Sequence, residues 1–174
     1  MLRAGAECIN RVGRPTRPYW VLLDSSGAVA ADSPTRPERT GVKVFDFDPG
    51  RIHLLSLSQG DDLLGSLTEF ARSNGVLGAT ITFLGSVSRA DLSWYDPDTG
   101  DYRTFAREEQ LEVAGGTGNI SLYEGQPLVH IHAVFADSTG RTIGGHINPG
   151  TTVFAMEATV QELAGDPPEF WGTL

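Results

Sequence analysis

From Gly41 onward, apolar and polar positions alternate in a way that predicts strands interrupted by one helix. The segment "RIHLLSLSQGDD" reads as a strand carrying Ile52 and Leu54 and ending at Gly60. The period then changes. Leu64, Leu67 and Ala71 share one helical face, with Leu63 and Phe70 beside them. Asp61 or Asp62 can cap this helix by accepting a hydrogen bond from an orphan amide, and Gly75 can close it in the left-handed conformation. "GATITFLGSVSRADLSWYD" is a β-branched and aromatic run, "DPDTG" a turn, and "YRTF" the start of the returning strand. "QLEVAGGTGNISLYEGQPLVHIHAVFAD", "RTIGGHINPG" and "TTVFAMEATVQEL" continue the β-rich pattern to residue 163, with "GGTGN" read as a bend. One helix amid many strands, with a helical crossover early and hairpins late, predicts an α+β fold built on a mixed, largely antiparallel sheet.

The first 45 residues have a different texture. Prolines in "RVGRPTRP" and "ADSPTRPERTG" fix φ and withhold amide donors, so residues 1–45 read as a basic, proline- and glycine-rich extension and residues 46–174 as the globular domain. Between these segments "YWVLLDSSGAV" suits one short strand. It is expected to dock on its own body or on a neighbouring subunit, because Tyr19, Trp20, Val21, Leu22 and Leu23 would otherwise be exposed.

Composition narrows the setting. With 174 residues, 40 % of them hydrophobic, the chain suffices for one well-buried domain. Cys8 is its single cysteine and has no internal partner; together with the absence of a long apolar run, this predicts a cytoplasmic protein with no membrane contact. The formal charge of -9 is unevenly spread: residues 1–45 hold seven basic and four acidic side chains, leaving six basic and eighteen acidic for the remainder. A body at -12 opposes phosphate backbones, so direct DNA binding by it is not expected.

The chemistry concentrates in "LVHIHAVFADSTGRTIGGHINPG", which holds three of the four histidines. His130 and His132, two apart on a strand, project from one face. If the following hairpin centres on Thr139, paired positions sum to 278 and His146 lies opposite His132, with cross-strand Cβ atoms about 5 Å apart. Three imidazoles on one patch suit zinc with its fourth position open to water or a ligand. Gly144 and Gly145 are expected to leave room beside the metal. Glu112 and Glu157, acids within apolar strands, are candidates for a fourth ligand, a supporting acceptor or a general base, or else simply face outward. His53 is read as a surface or hydrogen-bonded histidine outside the cluster, and Asn119 as making a turn hydrogen bond.

At these residues the chain resembles the plant and prokaryote conserved (PPC) domain family, of the prokaryotic metal-binding type. "ISLYEGQPLVHIHAVFADSTGRTIGGHI", "QLEVAGGTGNI" and "GDDLLGSLTEFARSNGVLGATITFLGSVSRADLSWYDPDTGDY" carry the likeness, over about residues 50 to 163. The resemblance implies a compact domain with an acetolactate-decarboxylase-like fold, a homotrimer, and a zinc ion held by His130, His132 and His146. Plant members carry AT-hooks before the domain, but "RVGRP" has Val12 where the hook's first arginine belongs. Two functions follow as alternatives: a metal-dependent module, enzymatic or small-molecule-binding, or a regulatory or assembly protein with a DNA-associated or protein–protein role whose metal is merely structural.

Overall fold

A computed structural model describes residues 44–166; the expected strand at residues 19–29 lies outside them. Eight elements follow one another: β1 (Asp48–Leu57), α1 (Leu63–Asn74), β2 (Ala79–Asp96), β3 (Asp101–Arg107), β4 (Leu111–Tyr123), β5 (Gln126–Ala136), β6 (Thr142–Ile147) and β7 (Thr152–Ala164). The strands form one seven-stranded sheet in the order β1-β7-β2-β4-β5-β6, with β3 paired to β2. Among the described strands every pairing is antiparallel. The crossover through α1 does leave β1 and β2 running in the same direction, but β7 lies between them and pairs with both. The α+β class with an antiparallel-rich sheet is thus the observed one.

The helix begins where Asp62 accepts a hydrogen bond from Gly65 N at 2.7 Å and ends at Gly75, whose φ of 65° and ψ of 31° are left-handed. Leu63, Leu67 and Ala71 are its fully buried face, while Leu64 and Phe70 pack at the margin. This face covers the inner side of the sheet, where Ile81, Leu92, Leu111, Ile131, Phe135 and Val160 form the core. Fully burying each of these leucines contributes roughly 2 kcal/mol.

Strand β2 serves two sets of neighbours because it bends. Its first half pairs with β7 and β4, its second half with β3 and, through Leu92 and Ser93, with β6. The bend sits at Gly85, whose φ is 131° and where a Cβ would stand 2.2 Å from the carbonyl oxygen of Ala155. Strands β2, β4, β5 and β6 consequently close into a circuit, which holds β5 and β6 firmly on both sides. Among the described residues, no helix covers the outward face of the sheet. Ile52 and Leu54, expected from their apolar character to support the strand, point outward and are 68 % and 73 % exposed, and Leu84, two strands away on β2, is 62 % exposed. No helix among the described residues is long and apolar enough to cross a membrane.

Candidate metal centre

On β5 the burial alternates, with Val129, Ile131 and Ala133 inward and His130 and His132 outward. The turn after β5 sets the position of the third histidine. The carboxylate of Asp137 accepts hydrogen bonds from Thr139 N (2.7 Å), Thr139 Oγ1 (2.6 Å) and Arg141 N (3.0 Å), and Gly140 N donates to the Asp137 carbonyl at 2.9 Å. These bonds, the Thr139 hydroxyl foremost, hold the Asp137 carboxyl below its ordinary value. The resulting register pairs His132 with His146 and Phe135 with Ile143, so the expected alignment is the observed one.

His130 Nε2 and His132 Nε2 stand 3.1 Å apart, and donor atoms of all three rings lie within 4.8 Å of one another. Ring centroids are separated by 5.0, 4.9 and 5.3 Å. A tetrahedral zinc with bonds near 2.0–2.1 Å needs ligand nitrogens about 3.4 Å apart, close to the first of these spacings. His132 is exposed, while His130 and His146 are half-buried. Burial, and secondarily charge on the neighbouring rings, pushes His130 and His146 below the usual histidine value, which keeps their lone pairs available near neutral pH. His146 Nδ1 is buried and has no hydrogen-bond partner among the described residues. Three imidazoles, one with a nitrogen that has no hydrogen bond among the described residues, are a donor set that fits a divalent cation.

The two glutamates stand apart from this cluster. Both are exposed on the outward face. Glu112 pairs with Ala136, four residues along β5 from His132, about 13 Å away at strand spacing. Glu157 on β7 is separated from β5 by β2 and β4, about 14 Å. Gly144 and Gly145 do not leave space for a metal. A Cβ on Gly144 would meet the Ala133 carbonyl oxygen at 2.7 Å and one on Gly145 the Ser93 carbonyl oxygen at 2.7 Å, so these glycines allow β6 to approach both neighbouring strands. His53 lies outside the cluster as expected, with Nε2 2.8 Å from Glu162 Oε1.

Asn119 is not in a turn. It stands within β4, exposed and directly opposite His130, with Thr117 opposite His132. The β4–β5 turn is the sign that locates them. Glu124 and Gly125 both have positive φ, 51° and 71°, the requirement of a two-residue type I′ hairpin, which makes paired positions sum to 249. On the other flank, Ser93 of β2 pairs with His146, and the ring of Tyr102 of β3 lies 5.9 Å from the His146 ring.

Comparison with known proteins places this arrangement in a family. A metal-containing protein from Archaeoglobus fulgidus is 35 % identical and superposes with a TM-score of 0.70, covering 74 % of this chain and 90 % of that one. A plant- and prokaryote-conserved (PPC) protein from Pyrococcus horikoshii is 27 % identical with a TM-score of 0.71, covering 76 % and 92 %. The bifunctional protein GlmU of a Synechococcus strain is 33 % identical over 121 residues, which are 69 % of this chain but span only 17 % of that relative. The model of the Plants and Prokaryotes Conserved (PCC) domain matches residues 45–164, and the chain belongs to that family.

Proposed function

We propose that the protein is a homotrimeric zinc protein in which His130, His132 and His146 hold one ion per chain and leave a fourth position for water or a small molecule. The observation that carries this reading is the convergence of three imidazole donors within 4.8 Å on two strands whose register is locked by Asp137. Bound zinc would polarise a carbonyl or lower the pKa of its water, so the module is either a small-molecule binder or a metal-dependent enzyme. The exposure of His132, with both glutamates well away, supports an open site over a closed structural one. That favours this reading over a regulatory or assembly protein with a merely structural metal. The metal-containing relative from Archaeoglobus supports the assignment of a metal, and zinc is the ion that neutral nitrogen ligands favour. Trimer assembly accords with the outward Ile52, Leu54 and Leu84, apolar side chains that a neighbouring copy would cover. Cytoplasmic placement and the absence of direct DNA contact belong to the same reading.

Elemental analysis of the purified chain and of His132→Ala tests it. About one zinc per wild-type chain and a large loss in the variant are expected, since two protein nitrogens hold zinc far more weakly than three. Equal, negligible metal in both would overturn the site.

A further inference from the structure

The three histidines lie on adjacent central strands, β5 and β6, and two polar side chains flank them from opposite sides. On the β4 side Asn119 pairs with His130, which puts their Cβ atoms about 5 Å apart on one face. On the far side, beyond the second half of β2, Tyr102 sets its ring 5.9 Å from that of His146 and packs edge-on against Tyr95 at 5.4 Å. The Asn119 amide and the Tyr102 hydroxyl make no hydrogen bond to any described residue, and both residues are exposed.

Charge decides what they would meet. The metal donors are three neutral imidazoles, and the residues paired beside them, Thr117, Asn119 and Ser93, are also neutral. The candidate carboxylates Glu112 and Glu157 are more than a strand spacing away in either direction. A divalent ion here would therefore keep its full charge, which an anion entering the fourth position would compensate. Thr117 already donates its hydroxyl to the Ile81 carbonyl at 3.3 Å and Ser93 donates its hydroxyl to Asn148 Oδ1 at 3.1 Å, whereas Asn119 and Tyr102, on the two flanks, have donors with no hydrogen bond among the described residues. Their positions on opposite flanks suit an acceptor with two oxygens.

We propose that Asn119 and Tyr102 are ligand-positioning residues that hydrogen-bond a small carboxylate bound at the metal's fourth position. This rests on the metal reading of the same three histidines and adds the class of ligand to it. Asn119 donates through its amide from one side, and Tyr102 donates through its hydroxyl from the other while its ring shields His146.

The test uses the full chain loaded with cobalt(II), whose visible absorption reports coordination, titrated with acetate and separately with chloride. Metal content is measured first in the wild type, Asn119→Leu and Tyr102→Phe. The expected result is equal cobalt in all three, a saturable spectral change with acetate, and a Kd for acetate raised roughly tenfold in each variant, as for loss of a hydrogen bond to a charged group. Chloride, which needs no paired donors, would bind all three alike. Unchanged acetate affinity in both variants, or no response of the loaded wild type to acetate, overturns the proposal and leaves the metal site standing. Failure of the wild type to take up cobalt overturns the metal reading itself, and this inference with it.

Discussion

Asp137 accepts three hydrogen bonds inside the five-residue turn between β5 and β6, and through them it decides which side chain faces His132. A slip of one residue would turn His146 to the inner face, where Ile147 now packs fully buried. Asp137→Ala should therefore weaken zinc binding by roughly an order of magnitude, as losing a support behind metal ligands commonly does, while the domain stays folded. Competition against a chromophoric chelator measures this, and an unchanged affinity would mean that the sheet alone sets the register. The pH dependence separates the turn from its ligands. The Asp137 carboxyl is depressed in the folded chain, so its stabilisation is present above its ordinary value of 3.8 and is lost only as pH falls through the lower folded value. His130 and His146 are likewise depressed, from 6.5, so protons compete for their lone pairs only below that pH. Dialysis at stepped pH should find the metal retained near pH 6 and released before the turn titrates; full release at pH 7 would contradict this order.

At the scale of elements, the two faces of the sheet divide the labour, with helix and core on one and the histidines on the other. Asp62 belongs to the first: it caps α1 through Gly65 N and also accepts from Gly150 N at 2.5 Å, tying the start of the helix to the β6–β7 connection. Asp62→Ala should lower stability by about 1–2 kcal/mol in denaturant titration and leave metal affinity as it was. A loss of affinity comparable to that of a histidine variant would show that the faces are coupled. The helix was legible in the sequence because its spacing, cap and closing glycine agree, and the β5–β6 hairpin because a turn centred on Thr139 aligns His132 with His146. Asn119 was not legible, since "GGTGN" has the composition of a bend. Its glycines have no positive φ. Gly116 lies against the Phe83 ring and Gly118 against the His130 carbonyl, so a Cβ there would collide with packed neighbours inside a regular strand. Tyr102 escaped for a different reason: it reaches His146 only because β2 bends at Gly85 and carries β3 around, a tertiary event without a local signal.

For the whole molecule, charge and assembly set the expectations. With six basic and eighteen acidic side chains beyond residue 45, the body is expected to repel a duplex at close range, within the roughly 8 Å over which charge acts at physiological salt. A fluorescent AT-rich duplex titrated at about 0.15 M salt should show nothing tighter than the 10⁻⁶ to 10⁻⁴ M typical of non-specific binding. Tighter binding that is abolished by deleting residues 1–40 would instead make the basic extension a DNA anchor. Native mass spectrometry of the zinc-replete protein decides whether three histidines hold one metal ion in each chain of a trimer. One species at three times the 18.7 kDa chain carrying three zinc ions is expected, with the metal mass lost in His132→Ala. An oligomer of any size whose mass is that of protein alone would contradict the metal site.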